Sequence, residues 1–202
     1  MTDRGAGLER TALKEWAVLV DAMARGDILA LIRKGGIREQ RAGFAVRHDR
    51  FLLYPTFFHE RESELAPRFR AQLAMSHAHQ PPDGVIRLRY VAEAVAVWRV
   101  SSLEPLRAIE TEHGLDWSSV QARFNYRDMP GVHVVAVRVA RLPVEVEIPE
   151  QRRYGGCVSW VAVDEAIDVA DAHAVIAPEP LAQRLAQLRA VLGEPLGVAE
   201  GP

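Results

Sequence analysis

The stretch from residue 86 to residue 100 most constrains the fold of this chain, because its apolar side chains recur at every second position. One side of the stretch carries Ile86, Leu88, Tyr90, Ala92 and Ala94, and the other carries Arg87, Arg89 and Glu93. A period of two is typical of a β-strand with one buried face. Since the stretch is longer than a typical strand, we expect it to bend midway.

Further strands are predicted around this one. Residues 132–139 are almost continuously apolar and β-branched, as in a central strand. Apolar and acidic residues then alternate at Val144, Glu145, Val146, Glu147 and Ile148. Short apolar runs predict strands at residues 28–32, 50–55 and 157–163.

Helical spacing is found in the rest of the chain. It predicts an amphipathic helix over residues 9–25, another over about residues 61–76, and two short ones at 102–112 and 117–124. Pro178 opens a last helix, whose apolar stripe comprises Leu181, Leu185, Leu188 and Leu192.

Strands and helices do not alternate regularly, so we predict an α+β fold with a small mixed or barrel-like β-sheet and flanking helices. Residues 8–170 are expected to form a single domain, and residues 176–202 a C-terminal amphipathic helix and tail. Of the 202 residues, 49% are hydrophobic and 26% are charged, which is the balance of an ordinary globular protein. The chain has a single cysteine, which fits a reducing compartment. It has no apolar run near the ~18 residues of a membrane span, and its start lacks the basic-then-apolar order of a signal peptide. We therefore expect a cytoplasmic protein without a membrane segment.

The formal net charge is -2, but the segment from residue 33 to residue 50 contains six basic side chains and only two acidic ones. It begins with two cations and two glycines, and paired glycines let backbone N–H groups converge on an anion that the cations neutralise. We therefore expect phosphate or nucleic-acid binding by Arg33, Lys34, Gly35, Gly36, Arg38, Arg47 and Arg50. The alternative is a glycine hairpin with a solvated basic rim.

Ring-bearing side chains follow this segment, at Tyr54, Phe57, Phe58 and His59. Exposed rings beside a basic patch give platforms on which unpaired bases stack. Tyr54 and Phe57 are therefore candidates for nucleic-acid contacts, as is Tyr154, which precedes two glycines where a backbone can approach a ligand. The alternative is that the rings fill the core.

A catalytic function would need other side chains, and the candidates are Glu15, His59, Glu60 and Cys157. His59 and Glu60 suit acid and base roles, although neighbours in a strand point to opposite faces. Cys157 would need a base close in space, and a buried, inert thiol is the alternative. No metal or cofactor is expected, because the pairs Glu145 with Glu147 and His77 with His79 have no third ligand at a telling distance.

The sequence also excludes several enzyme motifs. It contains no Gly-x-Ser-x-Gly, His-Glu-x-x-His, Gly-x-Gly-x-x-Gly or Walker loop. Many restriction-type nucleases have an acidic residue two positions before a lysine. Neither Lys14 nor Lys34 has one, so this nuclease motif is absent from the sequence.

Three separated blocks carry a resemblance to a known family: RKGGIRE at residues 33–39, FLLYPTFFHE at 51–60 and YGGCVSWV at 154–161. They are similar to the prokaryotic family catalogued as domain of unknown function 1802, and ALKEW at 12–16 and RLP at 141–143 fall in the order that this family shows. The resemblance covers roughly residues 11–163. It implies an association with restriction-type nuclease domains, which some relatives have.

The order of elements is also similar to the small barrels of the ASCH and PUA-like group, which bind RNA or modified bases. Gly26 and Arg33 match the ASCH pattern, whereas Ile28 and Leu31 stand where that pattern has lysine and glutamate. This likeness implies a PUA-like barrel.

We therefore expect a nucleic-acid- or phosphate-binding module linked to restriction or defence systems, with DNA or RNA and a nuclease as partners. One alternative is a hydrolase acting on phosphoesters through histidine, glutamate or cysteine. The other is a protein–protein adaptor or homodimer that uses the leucine stripe of the C-terminal helix.

Overall fold

The computed structural model describes residues 7–34, 39–40, 43–44, 48–156 and 158–196. Its strands are β1 (Leu8–Trp16), β2 (Ala30–Arg33), β3 (Glu39–Gln40), β4 (Gly43–Phe44), β5 (Arg50–Thr56), β6 (Val85–Val100), β7 (Val132–Pro149), β8 (Trp160–Asp168) and β9 (His173–Ala174). Its α-helices are α1 (Ala17–Ala24), α2 (Pro67–Ala78), α3 (Glu104–Ala108), α4 (Trp117–Phe124) and α5 (Pro178–Leu192). The predicted α+β class is confirmed.

Seven strands form one mixed sheet in the order β2-β7-β6-β5-β1-β8, with β9 paired to β7. β1 and β5 are parallel neighbours, so Trp16 lies beside Thr56 at the carboxyl end of both strands. The other pairs in this sheet are antiparallel. β3 and β4 pair with each other in a separate two-stranded sheet.

The seven-stranded sheet is strongly curved, although it is not closed. β8 and β9 lie on opposite edges of the sheet, yet only residues 169–172 join them. In a flat sheet these two strands would be about 24 Å apart, since neighbouring strands are spaced by about 4.8 Å. A connection of this length reaches only about 18 Å. The sheet must therefore bend toward its own far edge, but a PUA-like barrel finds no support.

The long antiparallel pair of β6 and β7 explains both the predicted bend and one wrong boundary. The pairing register shifts between Leu88 and Tyr90 and again between Ala94 and Ala96, and such bulges bend a strand. β7 also continues from Val132 to Pro149, where two separate strands were predicted. The residues around Pro143 form an irregular part of this single strand and do not end it.

The predicted helix over residues 9–25 is wrong in its first half, which is β1. β1 lies between β5 and β8, so both of its edges are paired, and a core covers each of its faces: Ala12 contributes to one core and Leu13 to the other. Pairing on both edges outweighs the local helical spacing. The helix begins only at Ala17.

Two hydrophobic cores lie on opposite faces of the sheet. The larger one contains the buried faces of the helices together with β2, and its most buried side chains include Trp98, Phe51 and Phe69. The smaller one includes side chains from the start of β6 and the end of β7, and it contains Tyr54 and Tyr154.

The leucine stripe of α5 packs against the larger core of the same chain. Leu181 and Leu188 are buried, and Leu185 and Leu192 pack partly buried beside them. The Trp98 indole N–H also donates to the Gly193 carbonyl at 2.8 Å. Over the described ranges, no helix is both long and apolar enough to cross a membrane.

Candidate functional site

The carboxyl ends of β1 and β5 meet the end of β2 at one end of the sheet. Arg33, the last residue of β2, reaches Glu15 of β1, although three strands separate β2 from β1 in the sheet order. The curvature of the sheet makes this contact possible. We call the four side chains that meet here, Glu15, Trp16, Arg33 and Arg123, the guanidinium cluster.

Glu15 and Arg33 form a well-shielded ion pair. Arg33 Nη1 donates to Glu15 Oε2 at 2.9 Å, and the two side chains are 14% and 5% exposed, in that order. Glu15 Oε1 accepts from the backbone N–H of Trp16 at 3.0 Å. Within the described residues, Arg33 Nη1 has acceptors, whereas its Nε and Nη2 have none. One edge of this guanidinium thus has no acceptor among the residues that the structure describes.

Arg123 brings a second guanidinium to the same place. It lies in the last turn of α4, a helix whose start is capped by Asp116 Oδ1 accepting from the Ser118 N–H at 2.9 Å. Arg123 Nη1 donates to the Ile32 carbonyl at 3.0 Å, and the guanidinium lies 5.4 Å from the centre of the Trp16 ring.

The electrostatics of the cluster favour an anion. Burial lowers the pKa of Arg123, the Glu15 carboxylate opposes this shift, the nearby Arg33 charge adds to it, and the Glu64 carboxylate opposes it again. The four side chains of the cluster thus contain two guanidiniums and one carboxylate, while Glu64 contributes a further negative charge from outside the cluster. Planar guanidinium forks bind phosphate or carboxylate oxygens in pairs, and in a shielded place such contacts are strong.

Lys34, predicted to bind phosphate, is engaged within the protein. Its Nζ donates to the carbonyls of Phe124 and Gly131, both at 2.8 Å, and to that of Met129. An ammonium group has three N–H donors, so these bonds occupy all of them. Lys34 therefore holds the segment from residue 125 to residue 131, which we call the 125–131 loop.

The 125–131 loop presents exposed side chains beside the cluster. Tyr126 is 53% exposed and Met129 is 69% exposed. The Arg127 guanidinium lies 5.2 Å from the centre of the Tyr126 ring. Arg127 and Asp128 have φ angles of 60° and 52°, a left-handed conformation that non-glycine residues rarely adopt.

The predicted tyrosines are not at this end. Tyr54 and Tyr154 are buried in the smaller core, as the alternative interpretation had it. Tyr154 Oη accepts from the Asp164 N–H at 3.0 Å, and burial raises the pKa of Tyr54 well above its usual range. Neither ring is accessible to a base, so the structure does not support their predicted role.

Phe57 and Phe58 follow directly after β5. Phe57 is half-buried against the His77 ring, with centroids 5.8 Å apart, whereas Phe58 is exposed. Packing against His77 thus leaves only part of the Phe57 ring accessible for the predicted nucleic-acid contact, whereas the ring of Phe58 is exposed.

Glu60 pairs with a histidine, but not with His59. Glu60 Oε2 lies 2.6 Å from His77 Nε2, and Glu60 Oε1 accepts from the Val18 N–H at 3.1 Å. Burial raises the pKa of Glu60, while the bonds from Val18 and His77 counteract this. His59 is exposed, with a φ angle of 62°. Glu60 thus joins the start of α1 to the end of α2.

The other predicted residues lie elsewhere. Arg50, at the start of β5, pairs with Glu9 at 3.4 Å, about 20 Å along the strand from the guanidinium cluster. Glu147 pairs with Arg87 at 2.8 Å, and no group of three metal-binding side chains occurs among the described residues. Five candidates lie outside the described residues: Gly35, Gly36, Arg38, Arg47 and Cys157.

Sequence reasoning missed Arg123 and the 125–131 loop, and it considered His77 only as a metal ligand and not as the partner of Glu60. The run Asn-Tyr-Arg-Asp-Met-Pro-Gly has the composition of a turn, which was the available signal for an exposed loop. Nothing local marks Arg123, because its neighbours Trp16 and Ile32 are distant in sequence.

A comparison with protein families gave one match. The family described as "Domain of unknown function (DUF1802)" matches residues 12–187, from β1 into α5. No curated protein and no solved structure matches the chain significantly.

Proposed function

The chain belongs to the DUF1802 family, whose description names no activity, and we propose from its own geometry that it binds nucleic acid through the phosphate backbone. The observation that carries this proposal is the guanidinium cluster. Within the cluster, Arg33 and Arg123 lie beside one carboxylate, that of Glu15, and Nε and Nη2 of Arg33 have no acceptor among the residues that the structure describes. This arrangement suits a phosphate oxygen better than it suits a neutral ligand.

Several further cations support a polymer over a single small anion. Arg127 is exposed on the adjacent loop, and Arg38, Arg41 and Arg47 follow Arg33 in the sequence. The affinity for a chain of phosphates rises with each phosphate that a cation neutralises, because each neutralised phosphate releases a condensed counterion. DNA or RNA is therefore the proposed ligand class, and a link to a restriction or defence system remains part of the proposal.

Binding is tested by fluorescence anisotropy of labelled single-stranded and duplex DNA and RNA at several salt concentrations. We expect micromolar or tighter binding that weakens with salt, with a slope corresponding to about three phosphates. Absence of binding to all four probes at low salt would refute the proposal.

A paired substitution tests the site itself. Arg33→Gln with Glu15→Gln removes the ion pair without leaving a buried carboxylate unpaired and without changing the net charge. We expect this variant to bind about 10-fold or more weakly than Glu15→Gln alone, since a hydrogen bond to a charged group contributes about 1.5–3 kcal/mol. The matched control is Arg184→Gln with Glu112→Gln, which removes an ion pair of 2.6 Å and similar burial elsewhere and should bind like Glu112→Gln alone. Equal affinities of Arg33→Gln with Glu15→Gln and of Glu15→Gln alone would place the binding site outside the cluster.

A second candidate function is phosphoester hydrolysis, and one observation favours it. The 2.6 Å contact with Glu60 orients the half-exposed imidazole of His77, as a general base requires. The test is turnover of bis(p-nitrophenyl) phosphate with and without divalent cations. Turnover that persists in His77→Gln would exclude this role.

The adaptor alternative stays a prediction. The leucine stripe of α5, on which it depends, packs against the larger core of the same chain.

A further inference from the structure

The 125–131 loop joins an exposed ring, an exposed cation and an exposed thioether. We propose that it is a stacking platform for unpaired bases, which makes single strands the preferred ligand of this protein. This inference rests on the proposed nucleic-acid binding and specifies its ligand. The shared chemistry is a nucleobase face next to a phosphate, in DNA or RNA.

The exposed surfaces of the loop match the faces of bases. The Tyr126 ring is 53% exposed, and the Arg127 guanidinium lies 5.2 Å from its centre. Aromatic rings and guanidinium planes are the two side-chain surfaces on which bases stack, and stacking tolerates any base because each has a π face. Met129, which is polarisable and exposed, extends the same surface.

The conformation of the loop is fixed before any ligand arrives. Lys34 Nζ joins the carbonyls of Phe124, Met129 and Gly131, which flank the exposed ring along the chain. Arg127 and Asp128 are both left-handed, a costly conformation that persists only where surrounding contacts impose it. A preorganised loop loses little entropy when it binds, so its exposed ring is suited to recognition.

The platform and the guanidinium cluster are close enough to serve one strand. Arg123 belongs to the cluster and Tyr126 follows three residues later, so their Cα atoms are at most about 11 Å apart. Arg33, the other cation of the cluster, directly precedes Lys34. A strand whose phosphate meets the cluster can therefore place a neighbouring base on the loop. A duplex cannot do so, because its bases already stack on one another.

The experiment compares three labelled probes of equal length by anisotropy: a single strand, its duplex, and an abasic strand with the same phosphates. Single-stranded DNA and RNA versions are both included. We expect the wild type to bind single strands more tightly than duplex or abasic strands. Tyr126→Ala should weaken single-strand binding roughly 5- to 100-fold and leave abasic binding unchanged. Tyr126→Phe, which keeps the ring, should bind like the wild type.

Met75→Ala is a matched control, because Met75 is similarly exposed but lies on α2. If single and abasic strands bind equally and Tyr126→Ala changes nothing, the stacking inference is overturned while phosphate binding stands. If no probe binds at low salt, both proposals are overturned. If only DNA or only RNA strands respond to Tyr126→Ala, the inference holds and that polymer is the ligand.

Discussion

Replacing Glu15 with glutamine should strengthen anion binding, because it removes the carboxylate that forms an ion pair with Arg33 in the guanidinium cluster. The side chain keeps its shape, but Glu15 binds Arg33 Nη1 and the Trp16 N–H with different oxygens, at 2.9 Å and 3.0 Å, and glutamine has only one. The substitution therefore removes the charge at this position together with one of these two hydrogen bonds.

The size of the gain follows from the separation of the charges. A phosphate that binds the unused edge of Arg33 lies about 7 Å from the Glu15 carboxylate. At that distance two negative charges repel by about 2.4 kcal/mol in a medium of dielectric constant ~20 and by about 0.6 kcal/mol in water. The dissociation constant should accordingly fall between about 3-fold and 60-fold.

The assay is anisotropy with a labelled single strand at low salt, repeated with Glu112→Gln. Glu112 also pairs with an arginine, Arg184, at 2.6 Å, so the control has the same change of charge and a similar loss of an ion pair. Far-ultraviolet circular dichroism confirms that both variants are folded. Unchanged or weaker binding by folded Glu15→Gln, or an equal gain in Glu112→Gln, would refute the assignment of the cluster.

Three further predictions concern stability, each measured by urea unfolding. Lys34→Met should lower the free energy of unfolding by about 3 kcal/mol, because three carbonyls lose a charged donor; a loss below ~0.5 kcal/mol would contradict its bridging role. Burial lowers the pKa of His113 from near 6.5 to about 4, so below pH 6.5 the unfolded chain binds a proton that the folded chain excludes. Stability should thus fall by up to about 3 kcal/mol between pH 6.5 and pH 4, and an equal fall in His113→Asn would exclude this cause. Leu188→Ala should cost about 2–5 kcal/mol with no change of mass in light scattering, whereas a smaller mass would show that the stripe joins two copies.

The strands and helices that were predicted correctly are those whose burial pattern is local. Residues 86–100 alternate because, along most of the strand, one face is buried and the other is more exposed, and Pro178 marks the start of α5 without reference to the rest of the chain. β1 was mistaken for a helix because it is paired on both edges, and pairing partners are not visible in a local pattern. For the same reason, β7 was predicted as two strands separated around Pro143.

The candidate site was only half predictable for a related reason. Arg33 stands out beside two glycines and in a basic segment. Its contact with Glu15 depends on the curvature of the whole sheet, and Arg123 joins through a helix far along the chain. The role of Lys34 was misjudged because a lysine next to glycines suggests phosphate binding, whereas its acceptors are carbonyls about 90 residues or more away in sequence.

The position of β1 in the sheet also sets the order in which the protein can fold during synthesis. Of the described strands, β1 is synthesised first, yet one of its two partners is β8, about 150 residues later: Leu13 pairs with Trp160. Until β8 has been made, that edge of β1 presents unpaired N–H and carbonyl groups to any other strand. The sheet therefore reaches its final pairing only late in translation, through contacts of high sequence separation that form slowly. A nascent chain arrested before residue 160 should consequently depend on chaperones, or on a partner that covers this edge, to keep β1 from pairing with strands of other chains.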